Sequence, residues 1–371
     1  MTGRIVLLGA TGYTGGRTAQ AMVDRGLSPV LAGRDPDRLV GLAHGLGGLQ
    51  TARADVTDPT SIRALVEKGD VLVSTVGPFM RLGGPAVAAA IEAGAIYLDS
   101  TGESPFIREI HETHGPEAAR TGAALLTAFG NDYVPGVLAG ALALRDAGEA
   151  ARRVDVGYFL SGGGRGRAFS RGTLDSVAGV MSKPAYAFRD GGLREEPAAS
   201  RMRTFLVAGK PRPGVTVGAS EQFALPRFAP GLRTVDVYLG WFGGASGALH
   251  ASSRVTPLLG KVPLLASGTT TVLQKAISRI PAAPDAATLE RTTSHFVAEA
   301  FDGTGTLLAR THLTSPDGYA ITAGLLAWGA GQAAEHGVEG TGALDAVGAF
   351  GLDTLVAGAA GAGIVAGPPS E

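Results

Sequence analysis

None of the 371 residues is a cysteine. Disulfides, thiolate nucleophiles and thiolate metal sites are excluded together, and a reducing compartment suits the chain. Net charge is nearly absent as well: 32 Lys and Arg stand against 33 Asp and Glu, a formal charge of −1. That balance supplies no drive toward nucleic acid or an anionic membrane. Long apolar runs are missing too. Near Met1 there is only the short run 5–8, with no cleavage site behind it, so no signal peptide is expected. The stretch 354–367 is small and apolar, yet it falls short of the roughly 18–20 residues that cross a bilayer. It reads as packed terminal structure or a frayed tail. A cytoplasmic protein without stable membrane insertion is the expectation.

Several reactive constellations are also missing. His44, His250, His295, His312 and His336 show no metal-ligand spacing, and His111 and His114 fall on a surface-like helix. No metal is therefore expected. No serine-centred nucleophile elbow, phosphate-binding P-loop or paired-carboxylate signature occurs. None of the seven tyrosines has a lysine four residues on, which disfavours the Tyr-x-x-x-Lys reductase mechanism.

Hydrophobic residues make up 45% of the chain, enough for two cores at this length. The 57 glycines are scattered without a period, which argues against repeat architectures. Short apolar strands are expected at 4–8, 29–32, 51–56, 71–76, 95–98 and 123–129. Helices are expected near 37–46, 59–68, 85–93 and 105–120, and another directly after the first strand. This alternation predicts an α/β protein with a Rossmann-type doubly wound parallel sheet, whose ligand lies across the carboxyl ends of the strands.

The loop after the first strand reads Gly9-Ala-Thr11-Gly12-Tyr13-Thr14-Gly15. Its first glycine permits the tight turn, its second lets backbone approach a pyrophosphate, and its third lets the helix pack on the sheet. The helix N-terminus then offers amide protons to the phosphates. The second strand ends at Arg34, where an NAD-selective site carries an acid. A guanidinium there faces a 2′-phosphate instead, so the cofactor expected is NADP(H). Asp35 precedes Pro36 and reads as a helix cap, and Arg38 one turn later stands near enough to assist. Asp55, after the third strand, faces the adenine or caps its own loop. Thr75, Val76, Gly77 and Pro78 follow the fourth strand and would pass beneath the nicotinamide ribose. Hydride transfer also needs a proton source. Tyr133 and Asp132 are the candidates, because they stand just past the sixth strand on the cofactor side.

These residues belong to a wider set: Gly9-Ala-Thr-Gly-Tyr-Thr-Gly15, Leu31-Ala-Gly-Arg34, Thr75-Val-Gly-Pro-Phe79, Tyr97-Leu-Asp-Ser-Thr-Gly-Glu103, Gly130-Asn-Asp-Tyr-Val-Pro135 and Pro316-Asp-Gly-Tyr319. In this set and order the chain resembles the saccharopine dehydrogenase-like oxidoreductases, in particular the bacterial branch that includes trans-acting enoyl reductases. The resemblance implies an NADP-binding Rossmann domain over 1–133 and an inserted α+β domain over 134–315. It also implies a C-terminal segment, 316–371, returning to the first domain. The branch usually has Phe and Ser where this chain has Asn131 and Tyr133, a departure that bears on the substrate more than on the cofactor.

Beyond 134 the strand pattern becomes apolar/polar alternation, at 153–160, 202–207, 234–239, 295–301 and 306–313. Mainly antiparallel strands are expected there. The loop 161–167 is glycine-rich and basic and leads into a helix at 172–181; it either closes over the site or is a solvated linker. The apolar stretch 258–284 suits a substrate tunnel or a subunit interface, hence a homodimer through the second domain. A helix over 321–334 would pack on the Rossmann sheet. Three functions fit. The first is NADPH-dependent reduction of a C=C or C=N bond in a hydrophobic small molecule or a carrier-bound acyl chain. The second is a non-catalytic NADP-binding component of a multienzyme pathway. The third is a saccharopine-type amino-acid dehydrogenase, which would want Arg165, Arg167 and Arg171 gathered for carboxylates.

Overall fold

The structure is a computed structural model and describes residues 3–162, 185–253, 286–289 and 291–368. The helix expected at 172–181, the apolar stretch 258–284, Arg165, Arg167 and Arg171 lie outside the described residues, as does the loop 161–167 beyond Gly162. The chain divides into two units, each discontinuous in sequence. The first comprises Met1–Thr101, Phe106–Val134 and Gly318–Ile364; the second comprises Gly102–Pro105, Pro135–Asp317 and Val365–Glu371.

The first unit is built on seven parallel strands. These are β1 (Ile5–Leu8), β2 (Val30–Gly33), β3 (Thr51–Arg53), β4 (Val71–Ser74), β5 (Ile96–Asp99), β6 (Ala124–Leu126) and β15 (Gly342–Ala343). Their spatial order is β15-β6-β5-β4-β1-β2-β3. Strand order therefore reverses at β1, between β2 and β4, which opens the crevice where such sheets bind ligands. β1, β2 and β4 are buried along their whole length, as continuous Val/Leu/Ile/Ala runs require when both faces are covered. On one face Val6, Leu72, Tyr97 and Leu125 pack with α5 (Gly84–Ala93) and with Ile110 and Ala118. The opposite face carries α1 (Tyr13–Asp24) and α12 (Gly318–His336), which pack on each other; α12 also contacts β1, β4 and β5. Gly329 of α12 is a close-approach glycine: a Cβ there would stand 2.6 Å from the Phe129 ring.

Two expected helices differ in the structure. The one foreseen at 59–68 stops as α3 (Pro59–Arg63). Arg4 Nη2 donates to Leu65 O at 3.0 Å, and the Glu67 amide donates to Asp70 Oδ2 at 2.9 Å, so side chains take the groups that further helix would use. The one foreseen at 105–120 is three pieces: α6 (Ser104–Glu109), a π turn (Ile110–His114) and α7 (Gly115–Thr121). Pro116 stands in the first turn of α7 and has no N–H with which to continue the preceding helix.

The second unit holds a mixed sheet. Its strands are β7 (Arg153–Ser161), β10 (Met202–Val207), β11 (Lys210–Thr216), β12 (Thr234–Leu239), β13 (Thr293–Phe301), β14 (Leu307–Ser315) and β16 (Val365–Ala366). Their order is β10-β11-β12-β7-β13-β14-β16, and β8 (Ala185–Arg189) and β9 (Gly192–Glu196) branch from β12. Among the described residues β7 and β12 pair in parallel, and the other pairs of this sheet are antiparallel. The sheet curls strongly enough that Arg203 of β10 pairs with Asp155 of β7 and Glu299 of β13. Phe159, Phe205, Val207, Tyr238 and Val297 form an apolar cluster alongside. On the reverse face Gly136 and Gly140 of α8 (Val134–Ala147) permit close contact with Tyr158, Glu221 and Leu225. The tail expected to return with 316–371 divides: residues through Ile364 lie in the first unit, whereas Val365–Ala366 pairs with β14 of the second. No helix among the described residues is long and apolar enough to cross a membrane.

Candidate cofactor and active site

The loop between β1 and α1 is shaped by its glycines. Gly9 has φ of +87°, a conformation that L side chains rarely adopt. A Cβ on Gly15 would stand 2.1 Å from Gly9 O, so this helix turn can approach the strand only as glycine. A Cβ on Gly12 would meet only Gly9 O, at 3.2 Å, and otherwise enters open space. Gly12 is also the N-cap of α1 and brings no capping side chain, which leaves first-turn amides for an external acceptor. Thr11 and Thr14 are half-buried beside this mouth, and Tyr13 is 39% exposed. Thr75 supports the loop from below: its Oγ1 lies 3.2 Å from Leu8 O and 3.3 Å from Gly9 O. These residues fit a dinucleotide pyrophosphate.

At the end of β2, Arg34 is exposed. Asp35 is committed to capping: its carboxylate accepts from the Arg38 amide at 3.1 Å, with Pro36 at the first helical position of α2 (Pro36–Gly45). The acid beside Arg34 is thus occupied. Arg38 turns toward the glycine loop, and its Nη2 donates to Thr11 O at 2.8 Å. Asp55 Oδ1 accepts from both the amide and the hydroxyl of Thr57, at 2.9 and 2.8 Å, and these bonds hold its pKa below the ordinary value. Asp55 therefore caps its own turn. After β4, Val76 and Pro78 are half-buried, Gly77 is exposed, and the Gly77–Pro78 bond is cis.

A polar core under this edge was missed from sequence. Asp99, the last residue of β5, is fully buried and accepts from the Thr101 amide at 2.8 Å, the Thr127 hydroxyl at 2.8 Å and the Ala128 amide at 3.0 Å. Burial pushes its pKa up to about 6 against the pull of these donors. Its carbonyl accepts from the Phe129 amide at 2.7 Å. Asp99 therefore shapes the chain that leaves β6 and leads to residues 130–133. The Tyr97-Leu-Asp99 motif carried that signal, though not its partners.

Residues 130–134 form a turn into α8, with the Val134 amide donating to Gly130 O at 3.0 Å. Asp132 is half-buried, and desolvation alone raises its pKa to about 6. Tyr133 is 7% exposed. The first turn of α12 ties this segment to the glycine loop. The Asn131 amide donates to Thr322 Oγ1 at 3.1 Å, and Tyr319, three residues earlier, stacks edge-on against Tyr13 with centroids 5.2 Å apart. Positions i and i+3 share one helix face. The segment 130–133 and the glycine loop thus meet through α12, from residues nearly 190 positions away. No cluster of metal-ligating side chains occurs among the described residues.

Comparison with known proteins agrees with this geometry. Residues 5–126 match the family model described as the saccharopine dehydrogenase NADP binding domain. A putative trans-acting enoyl reductase of Mycobacterium tuberculosis is 38% identical over 189 residues, 48% of this chain and 44% of that protein. A trans-acting enoyl reductase of Mycobacterium ulcerans is 39% identical over 137 residues, 35% of this chain and 33% of that one. The matched stretch therefore spans less than half the length of these curated relatives. The apo saccharopine dehydrogenase (L-Glu forming) of Saccharomyces cerevisiae shares the fold, with a TM-score of 0.53 at 16% identity over 95% of this chain and 96% of that one. The amide-lined mouth of α1 and the guanidinium after β2 both fall within the matched stretch: residues 5–126 are similar to the saccharopine dehydrogenase NADP binding domain, a match that supports NADP(H) as the cofactor.

Proposed function

We propose that the protein is an NADPH-dependent oxidoreductase that reduces an enoyl C=C bond in a carrier-bound acyl chain or a hydrophobic small molecule. The observation that carries this reading is Asp132, a half-buried carboxyl held near a pKa of 6 on the segment joined through α12 to the dinucleotide loop. Bound NADPH supplies a hydride. The chain must then add one proton, and a carboxyl with a pKa near 6 keeps that proton in an appreciable fraction at neutral pH and gives it up readily. Gly9, Thr11, Gly12, Tyr13, Thr14 and Gly15 hold the pyrophosphate; Arg34, assisted by Arg38, holds the 2′-phosphate. Thr75, Val76, Gly77 and Pro78 floor the site. Tyr133 forms its wall and is the alternative proton donor. The enoyl assignment rests on the relatives' names, and "trans-acting" motivates an acyl substrate presented by a separate carrier.

The test is NADPH consumption with enoyl thioesters, simple enones and cyclic imines, on wild type, Asp132→Asn and Tyr133→Phe. Turnover of an enoyl thioester that collapses at least 100-fold in Asp132→Asn, with NADPH affinity kept, supports the reading. Collapse in Tyr133→Phe alone moves the proton to the tyrosine. Tight NADPH binding without turnover of any acceptor makes the protein a non-catalytic component instead.

A further inference from the structure

In the second unit, three side chains that lie far apart in sequence meet at the end of β7. Ser161 is the last residue of that strand, and the pairing of β7 with β13 and of β13 with β14 brings His295 and His312 beside it. Ser161 Oγ lies 2.7 Å from His295 Nε2. His295 Nδ1 lies 3.0 Å from His312 Nε2, and His312 Nδ1 lies 3.2 Å from Pro368 O. His295 is 4% exposed, and Ser161 and His312 are half-buried. Burial, then the neighbouring His312 and Arg212, lower the His295 pKa to about 4; burial also lowers His312. Both rings are neutral at pH 7, so each carries one N–H.

The direction of every bond follows. Pro368 O can only accept, so the His312 proton is on Nδ1. His312 Nε2 is then an acceptor and takes the Nδ1 proton of His295. His295 Nε2 is left with a lone pair, and Ser161, its hydrogen-bond partner among the described residues, donates to it. The chain of bonds is anchored at its far end. The Gly367 amide donates to His312 O at 2.7 Å, and a Cβ on Gly367 would stand 2.8 Å from the His312 ring, so glycine lets this segment lie on the ring. At the near end Gly162, with φ of +87°, turns the backbone away directly after Ser161.

We propose that Ser161, His295 and His312 form a serine nucleophile with a two-histidine relay, a second reactive site that takes acyl groups from activated esters and thioesters. Ser161 Oγ attacks the carbonyl carbon as its proton passes to His295 Nε2. The C–S or C–O bond breaks, and the Nε2 proton goes to the departing thiolate or alkoxide. Water then attacks the acyl-serine by the same proton path, releasing a carboxylic acid and restoring the hydroxyl. The sum is hydrolysis, without oxidant or reductant. His312 is a positioning residue: it fixes the tautomer of His295.

Two probes test this on the intact 371-residue chain: a fluorophosphonate, mapped by peptide mass spectrometry, and p-nitrophenyl butyrate hydrolysis. One adduct on Ser161 is expected, with no adduct in Ser161→Ala and labelling about 100-fold slower in His295→Gln. His312→Gln, whose amide can accept from His295 and donate to Pro368 O, should keep more labelling than His312→Leu. NADPH affinity should stay unchanged in Ser161→Ala, which separates this site from the reductase site. No adduct on wild type, an adduct elsewhere, or equal labelling in folded His295→Gln overturns the proposal. Should His295→Gln not fold, the mapped residue on wild type decides it.

Discussion

A guanidinium and a carboxylate at the end of β2 select opposite dinucleotides. Here Asp35 is spent on its helix cap, and Arg34, exposed beside it, is the residue proposed for the 2′-phosphate. Arg34→Ala should weaken NADP(H) by about 10- to 100-fold, the worth of a charge-assisted hydrogen bond, and NAD(H) by less than about threefold. Calorimetry with both dinucleotides checks this, and equal losses would remove the role given to Arg34. Asp132 makes a pH prediction. Its folded pKa, near 6, lies above the ordinary value of 3.8, so the native state holds a proton that the unfolded chain releases. Stability linked to Asp132 is therefore complete below about pH 4 and is lost as pH rises toward 6. Asp132→Asn should stabilise the protein by about 1–2 kcal/mol at pH 8 and by almost nothing at pH 4, read from urea melts. The same carboxyl as proton donor makes wild-type turnover fall as pH rises through 6, with the pH profile flattened in the variant.

Secondary-structure elements were legible where their own residues dictate them and obscure where distant side chains do. The strands at 4–8, 29–32 and 71–76 are apolar runs bounded by turn residues, and the structure places β1, β2 and β4 within two residues of them. β11 was missed because Pro211 and Pro213 argue against a strand; among the described residues both pair with β10 alone, since pairing with β12 begins at Val215. α3 is short because Arg4 and Asp70 capture its would-be backbone partners, which no window of local sequence reveals. In the candidate site, the shape of the glycine loop could be read because its own residues set its geometry. Tyr319, Thr322 and the triad at Ser161 could not, because pairing of distant segments creates them. Asp99 shows how much one buried group can organise between elements. Asp99→Ala would remove the acceptor of the Thr127 hydroxyl, the Thr101 amide and the Ala128 amide, the last on a residue at φ of +58°. Losing these three bonds should cost about 3 kcal/mol in urea melts. It should also raise the KM for NADPH far less than it lowers kcat, because the loosened segment carries Asp132 and not the phosphate site. A loss confined to KM would show that Asp99 serves the nucleotide pocket instead.

At the scale of the whole molecule, the nucleotide-binding unit is not a stretch of chain. α12 comes from beyond residue 317 and buries Ile321, Leu325 and Leu326 in the first unit, where the helix packs on α1, β1, β4 and β5. β15 adds a strand beside β6. Three large side chains at about 1.5–3 kcal/mol each amount to roughly 5–9 kcal/mol, comparable to the total stability of a domain. A fragment of residues 1–134 should therefore bind a hydrophobic dye, melt without cooperativity and fail to bind NADPH, although it contains every phosphate-contacting residue proposed here. Gly318 lies against Asn131, since a Cβ there would stand 2.8 Å from the Asn131 amide nitrogen. A short glycine-serine linker can consequently join 134 to 318. The joined chain, 1–134 followed by 318–364, should melt cooperatively and regain NADPH binding in calorimetry. Full affinity in the 1–134 fragment alone would show that α12 covers a sheet already able to stand without it, and that Tyr319 and Thr322 take no part in shaping the site.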